Sequence, residues 1–387
     1  MHEFKNKDIL YFARLTWRNK GTLFGIKQAD RLLHTYIIGK TGTGKTTLLK
    51  TKILQDIQQG RGVCLLDPHG DLVSDIESKI PEHRKNDVIY MNITDHKQPW
   101  AYNPLKKVSY EKRSLVASSI IEVFKKLWSQ AWGVKLEHIL RFTLLALLDQ
   151  PSARMSDISK MLYDKSFRNE VLENVVNEDV KIFWKKEFPR YMYNDVLPVL
   201  NKIGGLLAYP AIKRVIIENK QEISLRKIMD DRKILLVNLS KGAVGEDVAQ
   251  ILGALLLTSI ASAAFSRVNI EEKERIPFFV YLDEFQNFST LSLVNMLSEL
   301  RKYKVGMVLA HQYMKQLEQD ILDAVLGNVG THISFRVDTG DASIMAKKMY
   351  PTFDVEDFVN LANRHIYLTL MIDGTPSRPF SAETIAF

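Results

Sequence analysis

A chain of 387 residues, 46% apolar and 25% charged, with no low-complexity tract, can bury two or three domain-sized cores and is neither disordered nor fibrous. Its single cysteine, Cys64, excludes a disulfide framework and a cysteine metal site, and its nine histidines show no paired spacing of the kind zinc requires. The net charge of +8 leaves a polyanionic partner open.

Residues 1–30 are broken up by Lys5, Lys7, Arg14, Arg18, Lys20 and Lys27, so no signal peptide is expected, only a basic N-terminal lead. Residues 31–104 open an α/β core. Tyr36-Ile37-Ile38 reads as a strand, residues 39–46 (GKTGTGKT) fit G-x-x-x-x-G-K-[ST], and Leu48, Leu49, Ile53, Leu54 and Ile57 follow at helical spacing. Glycines let backbone N–H groups approach phosphates, and the helix N-terminus adds positive potential. ATP and Mg2+ are therefore the expected cofactors, bound by Gly39, Thr41, Gly42, Thr43, Gly44, Lys45, Thr46 and Thr47. Lys45 would reach the β- and γ-phosphates and the Thr46 hydroxyl would ligate the metal. A second strand, Gly62–Leu66, carries Cys64 in the core and runs into Asp67–Asp71 (DPHGD), where Asp71 can cap the next helix and His69 is a candidate contact.

Residues 105–230 read as an all-α insertion, with amphipathic segments such as Ser114–Lys126 and Lys135–Leu148. The insertion holds 22 Lys and Arg against 15 Asp and Glu, so 22 − 15 gives +7 of the chain's +8. Such a domain can attract DNA, and Trp128, Trp132, Trp184 and Tyr191 are either base-stacking or core residues.

Strand patterns return in residues 231–387, at Ile234–Leu239, Phe278–Leu282, Val305–Ala310 and His332–Val337, separated by helices. Such alternation implies a mainly parallel sheet with its ligand site at the carboxyl ends of the strands. The loop Ser240–Gly245 offers Lys241 as a DNA contact. Val248–Ser266 is uncharged for nineteen residues but studded with Gln, Ser and Thr, and reads as a buried helix rather than a membrane span. The strand Phe278–Leu282 delivers Asp283 for the metal shell and Glu284 to polarise water, and the strand ending in His311-Gln312 places an amide where it could sense a γ-phosphate. Ile366–Phe387 reads as a terminal hairpin, with no appended domain expected.

The strings LLDPHGDLV (65–73), YNPL (102–105), VYLDEFQNF (280–288), LRKYKVGMVLAHQY (300–313) and GNVGTHISFRV (327–337) resemble the type IV coupling proteins, conjugative DNA-transfer ATPases of the FtsK–HerA class. The resemblance implies a RecA-like P-loop core with an all-α domain at one mouth of a homo-oligomeric, usually hexameric ring that pumps DNA. Partners in that setting are DNA, a relaxase and membrane-bound secretion-channel proteins. It also implies an arginine supplied in trans: Arg301 matches that position, and Arg31 and Arg336 are candidates for a second such finger. The membrane helices common in the group are not predicted, so a cytoplasmic protein, docked at the membrane's inner face through a partner, is expected. The alternative reading is a secretion-system ATPase acting on proteins or channel assembly.

Overall fold

In a computed structural model, residues 6–16 and 21–387 are described; the parts of the basic lead at 1–5 and 17–20 lie outside them. The chain divides into two compact units, Met1–Asn92 with Leu225–Ser240 and Ala263–Phe387, and Ile93–Ser224 with Lys241–Ser262.

The first unit is built on one sheet of eleven strands: β1 (Ile9–Leu15), β2 (Leu23–Lys27), β3 (Thr35–Ile38), β4 (Gly62–Asp67), β5 (Val88–Asn92), β6 (Ile234–Asn238), β7 (Phe278–Leu282), β8 (Val305–His311), β9 (Thr331–Ser334), β10 (His365–Thr369) and β11 (Phe380–Thr384). Their order is β2-β1-β11-β10-β9-β3-β8-β7-β4-β6-β5. From β9 to β5 all pairings are parallel, and from β2 to β9 all are antiparallel. Apart from the half-buried edge strand β5, the parallel strands are buried along their whole length, β7 reading FFVYL and β8 VGMVLAH, as strands covered on both faces must be. Helix Lys45–Gln58 buries Leu48, Leu49, Ile53 and Ile57 in a core shared with Val63, Leu65, Phe279, Tyr281 and Val308. Each such side chain contributes about 1.5–3 kcal/mol of burial.

The lead is not an appendage: β1 and β2 belong to the sheet, with Leu10 and Phe12 at 0% exposure. Each carries a single charged residue, Arg14 and Lys27, and both are short apolar runs set among the basic residues of the lead. The His332–Val337 strand is shorter than expected, ending at Ser334.

The second unit is helical, as its composition suggested, but begins at Ile93 and ends its first segment at Ser224. A two-residue parallel pairing, Trp100–Ala101 with Gln221–Glu222, ties that segment's ends together. Its longer helices are Arg113–Leu127, Val134–Leu148, Lys165–Asn174 and Tyr193–Ala208. Of the candidate stacking aromatics, Trp184 is 3% exposed and Trp132 donates its indole N–H to Glu137 at 2.8 Å. Helix Glu246–Phe265 is long and apolar enough to cross a membrane, yet most of it is buried, as in a core helix.

Candidate functional site

The site is assembled at the carboxyl ends of β3, β4, β7 and β8, side by side in the first unit. Between β3 and its helix, Gly42 and Gly44 adopt φ of 77° and 124°, which a side chain would strain. Gly39 is fixed differently: a Cβ there would lie 2.5 Å from Cβ of Phe335, so only glycine lets the loop lie against that ring. The Thr43 hydroxyl donates to Lys40 O at 2.7 Å and staples the loop internally, which leaves its backbone rather than its side chain for a ligand. Helix Lys45–Gln58 has no side-chain cap and no acid in its first turn, so its leading N–H groups and positive end face the loop, with the Thr46 hydroxyl exposed. The Lys45 ammonium donates to Gly39 O at 2.5 Å and Lys40 O at 3.3 Å. Burial lowers its pKa, while the charges of Glu284 and Asp283 oppose that shift.

Opposite Lys45 stand three carboxylates. The Asp283 carboxyl, 7% exposed, is pushed up to about 7 by burial first and then by Asp67 and Glu284, against the pull of Lys45. Asp67 is the residue that sequence reasoning passed over. It accepts the His69 N–H at 2.8 Å and the Val73 N–H at 3.1 Å, so it, and not Asp71, caps helix Asp71–Glu77. His69 itself is exposed at the same strand end. Glu284, in a left-handed turn at φ 47°, has its carboxylate held by Gln312 Nε2 at 2.9 Å and Gln286 Nε2 at 2.8 Å. The other end of Gln312 accepts a hydrogen bond from the Thr41 hydroxyl at 3.0 Å. Thr41, Gln312 and Glu284 thus form one circuit from phosphate loop to acid.

The arginines separate. Arg31 is corrected: its guanidinium, 2% exposed, donates to both oxygens of Asp56 at 2.7 and 2.6 Å and to Tyr281 Oη at 2.9 Å, and lies 3.4 Å from the centroid of Phe279. Reaching another subunit would break this buried ion pair, leaving Asp56 only Arg61 and Tyr281. Arg301 is exposed in the turn before β8, at the end of that strand opposite Gln312. Seven residues of strand at about 3.3 Å each hold it far from its own chain's site. Next to it, His34 is locked neutral: burial, offset in part by its bond to Leu297 O and reinforced by the charge of Arg301, lowers its pKa to about 4. Arg336 stands beside the chain's own loop, its carbonyl accepting the Lys40 N–H at 2.9 Å and its guanidinium donating to Leu361 O at 3.3 Å. Lys241 falls in the helical unit, half-buried at the start of a four-residue helix rather than in a loose loop. Arg364, which no motif marks, also touches the phosphate loop through its backbone, donating to Thr43 O at 2.8 Å.

A search of curated proteins finds no match. Among solved structures, the plasmid coupling protein TrwB in complex with ADP and Mg2+ is similar at 16% identity and TM-score 0.67, over 98% of this chain and 95% of that one. TrwB with the non-hydrolysable GTP analogue GDPNP gives 14% and 0.65 over 100% and 96%. VirB4 of Thermoanaerobacter pseudethanolicus gives 15% and 0.65 over 99% and 97%. These likenesses show a shared fold, the RecA-like P-loop architecture. The family model described as the type IV secretion-system coupling protein DNA-binding domain matches residues 21–360, most of the chain, and the protein belongs to that family.

Proposed function

We propose that this chain is a magnesium-dependent ATPase that moves DNA as a ring-forming motor of the coupling-protein kind. The observation that carries the reading is the circuit Thr41–Gln312–Glu284, which joins a phosphate-binding loop to a water-activating acid through an amide. The donor set fits magnesium. Among the described residues no three His, Cys, Asp or Glu side chains could hold a metal unaided, and magnesium takes one or two carboxylates with the remainder from phosphates and water. The crowding that raises Asp283 is the repulsion a divalent cation relieves. Thr46 and Asp283 would hold the ion, which supplies charge neutralisation at the β- and γ-phosphates.

The chain's own residues do the rest. Lys45 leaves the carbonyls of Gly39 and Lys40 for the phosphates. Glu284 orients the attacking water and takes its proton, held in place by Gln286 and Gln312. Gln312 can exchange its bond from Thr41 for one to the γ-phosphate, so the state of the nucleotide is written into the position of the strand end after β8. Arg301 completes a neighbouring copy's site, which is why the reading requires an oligomer, taken as a hexamer. Lys241 and the basic helical unit would meet the DNA. A relaxase and membrane-bound channel proteins would be further partners, with work on the cytoplasmic side of the membrane. The similarity to VirB4, as high as that to TrwB, supports the second reading, an ATPase acting on protein substrates or channel assembly.

Glu284→Gln should keep nucleotide binding and lose about 10²–10⁴-fold in turnover, while Lys45→Ala should lose binding. Full turnover in Glu284→Gln, measured by phosphate release, would overturn the assignment.

A further inference from the structure

Seven non-glycine residues among those described have left-handed φ, and two of them meet the nucleotide site: Glu284 and Arg364. Arg364 has φ 68°. Its N–H donates to Thr43 O at 2.8 Å, and its carbonyl accepts from Thr384 N at 2.8 Å and from the Thr384 hydroxyl at 3.1 Å. Its Cα stands 3.6 Å from where a Cβ on Gly44 would sit. Residue 364 is thus sewn between the phosphate loop and β11. That clamp is made wholly by backbone atoms, and glycine would supply it without the left-handed strain.

The side chain is surplus to the clamp. It is exposed, and it makes no hydrogen bond, ion pair or ring contact with any described residue. A guanidinium reaches roughly 6–7 Å from its Cα by bond lengths alone, and this Cα lies against Gly44 of the phosphate loop. A planar fork of donors with fixed charge suits phosphate oxygens bidentately.

We propose that Arg364 is a phosphate-binding residue of the chain's own nucleotide site. The proposal rests on the ATP reading above and adds to it a cis arginine. Because its backbone is bonded to its own chain's loop, Arg364 acts within one protomer, whereas the effect of Arg301 requires assembly. Nucleotide affinity at dilution therefore depends on Arg364 and not on Arg301.

The test is calorimetric titration of the full chain with ADP, ATP and inorganic tripolyphosphate in magnesium, for wild type, Arg364→Gly, Arg364→Ala and Arg364→Lys, with thermal unfolding of each without ligand. The expected result is that Arg364→Gly unfolds at or above the wild-type temperature yet binds all three ligands about ten- to a hundredfold more weakly, with Arg364→Lys recovering part of the loss. Wild-type affinity in Arg364→Gly overturns the proposal and leaves the ATP reading standing, as does a loss for ATP with none for tripolyphosphate. Absence of nucleotide binding by the wild type overturns both.

Discussion

The two units handle charge in opposite ways. The sheet unit buries Asp30, Arg31, Lys45, Lys52, Asp56, Asp67, Arg84, Arg267, Asp283, Glu284 and Asp341, whereas in the helical unit Asp149, paired with Arg113, is the only buried Asp, Glu, Lys or Arg among those described. Burial turns small displacements into large electrostatic changes, so these charges are held by their fixed partners. The helical unit keeps its charges in water, where they attract at long range and cost little to rearrange.

That contrast can be broken at several points. For turnover, Gln312→Ala cuts the circuit and should lower the rate by about 10²-fold with nucleotide affinity nearly unchanged, whereas Lys165→Ala in the helical unit should leave DNA-free turnover alone. Equal losses in both would erase the division of labour. Next, Asp56→Ala leaves Arg31 buried and unpaired and should cost about 3–5 kcal/mol in urea unfolding. The exposed pair of Lys135 with Asp195 gives the contrast: Lys135→Ala should not move the midpoint measurably. If Arg31→Ala kept its stability but lost subunit-dependent turnover, the trans role would return to Arg31.

The pH dependence has a definite sign. Asp283 has a folded pKa of about 7 against an ordinary 3.8, so its burial costs nothing below pH 4 and costs most above pH 7. Relative to Asp283→Asn, the nucleotide-free wild type should therefore lose stability as pH rises from 4 to 7, by on the order of 4 kcal/mol at most. A wild type that instead gains on the variant across that window would show the carboxylate to be stabilised. The smallest expected change is in DNA binding: removing one lysine from the helical unit should lower the slope of log affinity against log salt by about one.

How much of this was legible followed from how local each signal is. The phosphate loop, the strand ending in Asp283-Glu284 and the strand ending in Gln312 are each written in a dozen consecutive residues, and the structure brings them together. Asp67 stands in the same short string as Asp71, but its meaning depends on β4 lying beside β7, a pairing that joins residues more than two hundred positions apart. Arg31 failed as a finger for a similar reason: Asp56 and Tyr281 reach it only in the fold. β1 and β2 are short apolar runs broken up by the basic residues around them, and Arg364 shows itself only through its φ and its bond to Thr43.

The central claim is most directly tested by steady-state ATP hydrolysis at low salt, with and without single- and double-stranded DNA, with Lys45→Ala and Glu284→Gln as controls. The account expects DNA to stimulate turnover and both substitutions to abolish it. Turnover that DNA leaves unchanged, but a protein partner raises, would contradict the DNA motor and favour a protein-directed ATPase.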